Sequence, residues 1–138
     1  MNTYRVVVKT ASRSEGTPAN FNIRFGQVLP NDKSVFKCKV SSMVMGRANL
    51  VGVTNIEMGP AWALILVADF PYINYQSTSG DLYPIAFINQ TMIYQSHDFL
   101  VSNINHRTIN FKYVDTDGIL VSADDIGESY IVLTFEPL

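Results

Sequence analysis

Charge is scarce in this sequence: Asp, Glu, Lys and Arg together make up 16% of its 138 residues, against roughly 25% in an average soluble domain. The surface is therefore either neutral and polar or partly buried against other chains, since interface centres are poor in charge and rich in Tyr, Phe and Met. Runs of Lys or Arg are absent and the net charge is -2, which argues against a free nucleic-acid-binding domain. Cysteine is reduced to Cys38, so a disulfide framework and a Cys-based zinc site are both excluded. Cys38 alternates with Phe36 and Val40 and reads as a small buried hydrophobe. The longest apolar run, 61–68, is too short to span a bilayer. The opening Met1-Asn2-Thr3-Tyr4-Arg5 lacks the pattern of a secretory signal, so the expected site of synthesis and assembly is the cytosol. Helical periodicity is missing as well, the best candidate being one short turn within 122–129.

What is present is alternation. In Phe21-Asn22-Ile23-Arg24-Phe25 the apolar residues share one face and the polar residues the other. Similar short runs predict strands at 4–9, 21–25, 35–44, 62–69, 82–89, 99–104, 108–114 and 130–135, with a further short one at 92–95. Loops at 10–20, 45–61 and 70–81 are longer than hairpins need and read as sheet crossings or functional surfaces. Asp115-Thr116-Asp117-Gly118 reads as a tight hairpin with a primed turn. The expected architecture is one all-β domain over residues 1–138, a two-sheet antiparallel sandwich forming a single eight-stranded jelly roll.

Candidate chemistry is thin. Of the two histidines, His97 precedes Asp98, but neighbours in an extended segment face opposite ways, and no Gly-x-Ser-x-Gly elbow occurs. His97 and His106 lack the clustered spacing of a cupin-type metal site. Asp115, Asp117, Asp124, Asp125 and Glu128 form one acidic stretch. A calcium loop would need ligands after Gly118, where Ile119, Leu120 and Val121 stand, so a hairpin followed by a solvated acidic loop is the better reading. Gly46, Gly52 and Gly59 match no phosphate-cradling pattern. The sequon Asn89-Gln90-Thr91 has no secretory signal to give it meaning. Tyr72, Tyr75 and Tyr83 gather around Pro71 and Pro84, an aromatic patch suited to a carbohydrate or a protein interface. The expectation is no enzyme, no cofactor and no metal.

Thr10-Ala11-Ser12-Arg13-Ser14-Glu15-Gly16-Thr17-Pro18-Ala19-Asn20-Phe21, with its Arg-x-x-Gly-Thr-x-x-x-Phe spacing, resembles the beginning of single jelly-roll capsid proteins of large double-stranded DNA viruses and their virophages. Phe36-Lys37-Cys38-Lys39-Val40-Ser41-Ser42-Met43-Val44 resembles the strand that enters the second part of their sheet. Residues 108–118 and 130–135 are similar to their last hairpin and closing strand. Two departures stand out: Met45-Gly46-Arg47-Ala48-Asn49 where Pro-Asn is usual, and no room for an inserted outer domain. The resemblance implies a virion structural role, as a penton or minor capsid subunit assembled in the host cytoplasm. The implied partners are further copies of the chain, as a homo-pentamer, and a major capsid protein, with neither direct nucleic-acid contact nor a membrane span. Arg13, Glu15 and Arg24 would then fix register at the rims, and Tyr72 and Tyr75 would lie at an interface. The competing reading is a lectin-like jelly-roll module with a host glycan as partner, in which Tyr72, Tyr75 or Trp62 stands exposed.

Overall fold

A computed structural model describes residues 2–45, 64–73, 75–76, 83–88 and 94–138. Its strands are β1 (Tyr4–Lys9), β2 (Glu15–Thr17), β3 (Asn20–Arg24), β4 (Val35–Met45), β5 (Leu64–Ala68), β6 (Tyr72–Ile73), β7 (Pro84–Ile88), β8 (Tyr94–Ser96), β9 (Phe99–Ser102), β10 (Thr108–Val114) and β11 (Ser129–Pro137). Two 3-10 turns, Thr10–Ser12 and Ala123–Asp125, are the only helical pieces among the described residues. One sheet has the order β1-β11-β4-β9-β6 and the other β2-β3-β10-β5-β7-β8. The protein is thus an all-β sandwich of two antiparallel sheets.

Alternation puts the core where it was expected. Phe21 and Ile23 of β3, Ile109, Phe111 and Tyr113 of β10, and Ile131, Leu133 and Phe135 of β11 are buried, while the residues between them lie on the opposite face. An aromatic chain runs through the middle. Phe111 stacks on Phe21 at 5.4 Å and meets Phe70 edge-on at 5.6 Å, and Phe70 lies 5.8 Å from Phe99 of the opposite sheet. Cys38 is 1% exposed and burial pushes its thiol well up, so it packs as a hydrophobe and does not ionise at neutral pH.

Three sequence expectations need correction. The strand predicted over 99–104 stops at Ser102: the Asn103 N–H still reaches the Ser34 carbonyl at 3.0 Å, and its side-chain amide donates to the carbonyls of Pro30 and Lys33 at 2.9 and 3.0 Å, where the chain turns toward β10. The stretch 10–20 is not a loop but contains a 3-10 turn and β2, which pairs with β3 as Glu15↔Asn22, Gly16↔Phe21 and Thr17↔Asn20. The Asp-Gly hairpin does not use a primed turn. Asp117 keeps negative φ and only Gly118 is left-handed, at +80°. Gly118 N–H donates to the Asp115 carbonyl at 3.0 Å, and the Asp115 carboxylate accepts from the N–H groups of Asp117 and Ile119 at 2.9 and 3.0 Å. That is a type I turn closed by a left-handed glycine, the usual three-residue hairpin. The expected loops at 45–61 and 70–81, the strand ends at 62–63, 82, 89 and 92–93, Gly46, Gly52, Gly59, Trp62 and the sequon lie wholly or partly outside the described residues.

Gly16 gives the β2–β3 hairpin a sharp test. Its φ is +104°, and a Cβ there would overlap the Asn20 carbonyl oxygen and press on Phe21 Cα. Backbone cannot yield as a side-chain tip can. Gly16→Ala is expected to cost more than about 1 kcal/mol, measured by urea unfolding, with unaltered stability as the contrary result.

Candidate functional site

Four places on the molecule concentrate polar or uncovered side chains. The first joins the start of the chain to its end. Thr10, fully buried, donates its hydroxyl to Glu128 Oε2 at 2.7 Å and accepts from Ser129 N–H at 2.8 Å. Arg13 donates to both Glu128 oxygens at 3.0 and 3.2 Å and to the carbonyls of Thr10 and Gly16. Arg13 thus holds the first crossover onto the segment before β11 within the chain. The Thr10 hydroxyl, and after it Arg13, holds the Glu128 carboxyl below its usual value. A depressed folded pKa contributes stability above the unfolded carboxyl pKa of about 4.3, lost as pH falls through the folded value. The expected result is a steeper acid-side drop in melting temperature for the native protein than for Glu128→Gln. Parallel curves would place the acid sensitivity elsewhere.

Glu15 and Arg24 remain free. Glu15 stands opposite Asn22, which puts it on the same outer face as Arg24; both are exposed, and neither has an ion-pair partner among the described residues.

The second place is aromatic. Tyr72 lies 4.8 Å from Tyr75 and 5.1 Å from Tyr83 between ring centroids, and the Tyr75 ring stacks on His97 at 6.1 Å. These rings do not form the flat exposed patch expected of them. Tyr72 is half-buried against Phe70 and Phe99 and donates to the Ala68 carbonyl at 2.7 Å, while Tyr75 donates to that of Pro84 at 2.8 Å. Burial, then the neighbouring phenols, raises both pKa values. Asp98 turns to Lys37 at 3.8 Å, and the Tyr75 hydroxyl lies 3.4 Å from His97 Nε2.

Beside this cluster a cleft of about 340 Å³ opens on the six-stranded sheet, lined by Val67, Asp69, Phe70, Tyr83, Asn110 and Lys112. Asp69 accepts from Asn110 N–H at 2.7 Å, and the Asn110 amide donates to Asn20 and Asn22 at 2.9 Å each. The result is a polar floor of amides, a carboxylate and an ammonium beside a phenol ring.

The fourth place was not singled out from the sequence. On the outer face of β1, β11 and β4, Val7 is 55%, Tyr130 52% and Val44 66% exposed. The signal was there in Val6-Val7-Val8: three consecutive valines in a strand cannot all face inward. Among the described residues, no three His, Cys, Asp or Glu side chains gather as a metal-ligand set, and no helix is long and apolar enough to cross a membrane.

Compared with protein-family models and with curated proteins, the chain matches none.

Proposed function

We propose that this chain is a single jelly-roll shell subunit, a penton or minor capsid protein that works by packing against copies of itself and a major capsid protein in a virion. The observation that carries the reading is the uncovered apolar face of β1, β11 and β4, where Val7, Val44 and Tyr130 stand exposed together. Strand order supports it. With the three short strands β2, β6 and β8 set aside, the eight long ones run first-eighth-third-sixth in one sheet and second-seventh-fourth-fifth in the other. Every step between consecutive long strands then crosses sheets except β5 to β7, a pattern that supports a jelly-roll reading. Resemblance of residues 10–21, 36–44 and 108–135 to single jelly-roll capsid proteins adds the viral context. Electron microscopy of the main purified species tests it: five-fold rings support the vertex role, and isolated particles of one chain speak against it.

The cleft at Asp69, Asn110 and Lys112 favours a second reading, a glycan-binding module, because its mixed donors and acceptors beside Tyr83 suit a sugar's hydroxyls and apolar face. A glycan array signal abolished by Asp69→Ala would favour this reading over the first.

A further inference from the structure

We propose that the uncovered sheet face is the docking site for the hairpin tip that follows β10 (residues 115–120) in a second copy of this chain, making the contact between subunits heterologous. This inference rests on the shell-subunit reading and names the surfaces that would carry it.

The large exposed apolar side chains of the described residues fall into two groups, with Leu138 at the chain end apart. Val7, Val44 and Tyr130 form one; Ile119 and Leu120, 62% and 47% exposed, form the other. Pairing in the sheet makes the first group contiguous. Val7 stands opposite Val132, and Tyr130 lies between Lys9 on one side and Val44 on the other. Arg5, Lys9 and Lys39 are exposed on this same face, Arg5 and Lys39 flanking Thr134. None of the three has an ion-pair partner among the described residues; Lys9 lies only over the Tyr130 ring, at 5.8 Å. Glu136 and Asp98 are the acids beside Lys39 among the described residues, and both pair with Lys37, at 3.5 and 3.8 Å, which leaves Arg5, Lys9 and Lys39 in excess. The patch is therefore apolar with a basic rim.

The second group has the opposite character. Ile119 and Leu120 project from the hairpin with Asp115 and Asp117 before them and Asp124 and Asp125 after, and no Lys, Arg or His follows Lys112 in the chain. Among the described residues, Asp115 alone of the four carboxylates accepts hydrogen bonds, from the turn's own N–H groups. A narrow apolar tip with an acidic rim thus matches a broad apolar face with a basic rim, in sign and in shape. Opposite rims steer the encounter and fix its register, and the desolvated apolar centre supplies the affinity. Because tip and face are different surfaces, each subunit offers one of each, and such contacts close into a ring or run on as a filament.

The test uses two doubly charge-inverted proteins and sedimentation across a concentration and salt series. Lys9→Glu with Lys39→Glu inverts the face, and Asp117→Lys with Asp124→Lys inverts the tip; these side chains are exposed, and circular dichroism verifies that both variants fold. Each variant alone is expected to self-associate at least about tenfold more weakly than the native chain, and mixing the two in equal amounts is expected to restore association between unlike subunits. If both variants assemble like the native protein, the contact is overturned while self-assembly stands. Loss from the face variant alone means that the face receives something other than this tip, which also overturns the proposal. A native chain that stays monomeric throughout overturns the shell-subunit reading with it.

Discussion

Phe111→Ala is expected to lower the unfolding free energy by about 3–5 kcal/mol, the range for deleting a buried aromatic ring from a close-packed core. The ring is fully buried. It is also the meeting point of the core, stacked on Phe21 with an interplanar angle of 10°, tilted against Phe25 at 6.5 Å and edge-on to Phe70. Phe70 in turn touches Phe99 and Tyr72 of the opposite sheet. Removing Phe111 therefore opens a cavity where the two sheets are joined, and neighbours pinned in strands collapse into it only partly. Domains of this size are stable by about 5–15 kcal/mol, so the variant should lose between roughly a fifth and all of that stability. Phe111→Leu keeps most of the volume and should lose much less. Urea titration reads both, with the midpoint moving and the slope held. A loss below about 1 kcal/mol for alanine would mean that this ring does not bridge the sheets.

Asn105→Ala is expected to cost about 2 kcal/mol through hydrogen bonds alone. The Asn105 carboxamide oxygen accepts from the N–H groups of both Val28 and Leu29 at 2.9 Å, and its amide donates to the Leu29 carbonyl at 2.8 Å. One side chain thus pins the β3–β4 connection to the turn between β9 and β10. Truncation leaves two backbone donors without an acceptor, one of them on buried Leu29, and an unmade buried bond costs more than a made one contributes. Asn105→Asp keeps the acceptor and loses the donor, so it should fall between native and alanine. Equal losses for both variants would show that the accepted bonds are not the important ones.

The sandwich was legible because alternation in strands such as β3, β10 and β11 records burial directly, and the bounds of β1 and β10 follow from it. β2 and β6 are three and two residues long, too short for a period of two to show. The hairpin was located correctly and its turn type misread, because Asp-Gly serves a primed turn and a glycine-closed type I turn alike. Arg13 was noticed as a charge but not as an internal strut, since its partner Glu128 lies 115 residues away and nothing local marks the pair. Tyr72 and Tyr75 were recognised as a group, yet which hydroxyls were already satisfied depended on the carbonyls of Ala68 and Pro84 folding back beneath them. The outer patch was the subtlest, because Val7, Val44 and Tyr130 sit on three strands far apart in the chain and become one surface only through the register of β11.

Native mass across a concentration series tests the central claim most directly. The account predicts that the 15.4 kDa chain sediments as a closed assembly of a single size, five copies for a vertex subunit, and that the assembly weakens as salt screens the two charged rims. A monomer at every concentration and ionic strength would contradict it.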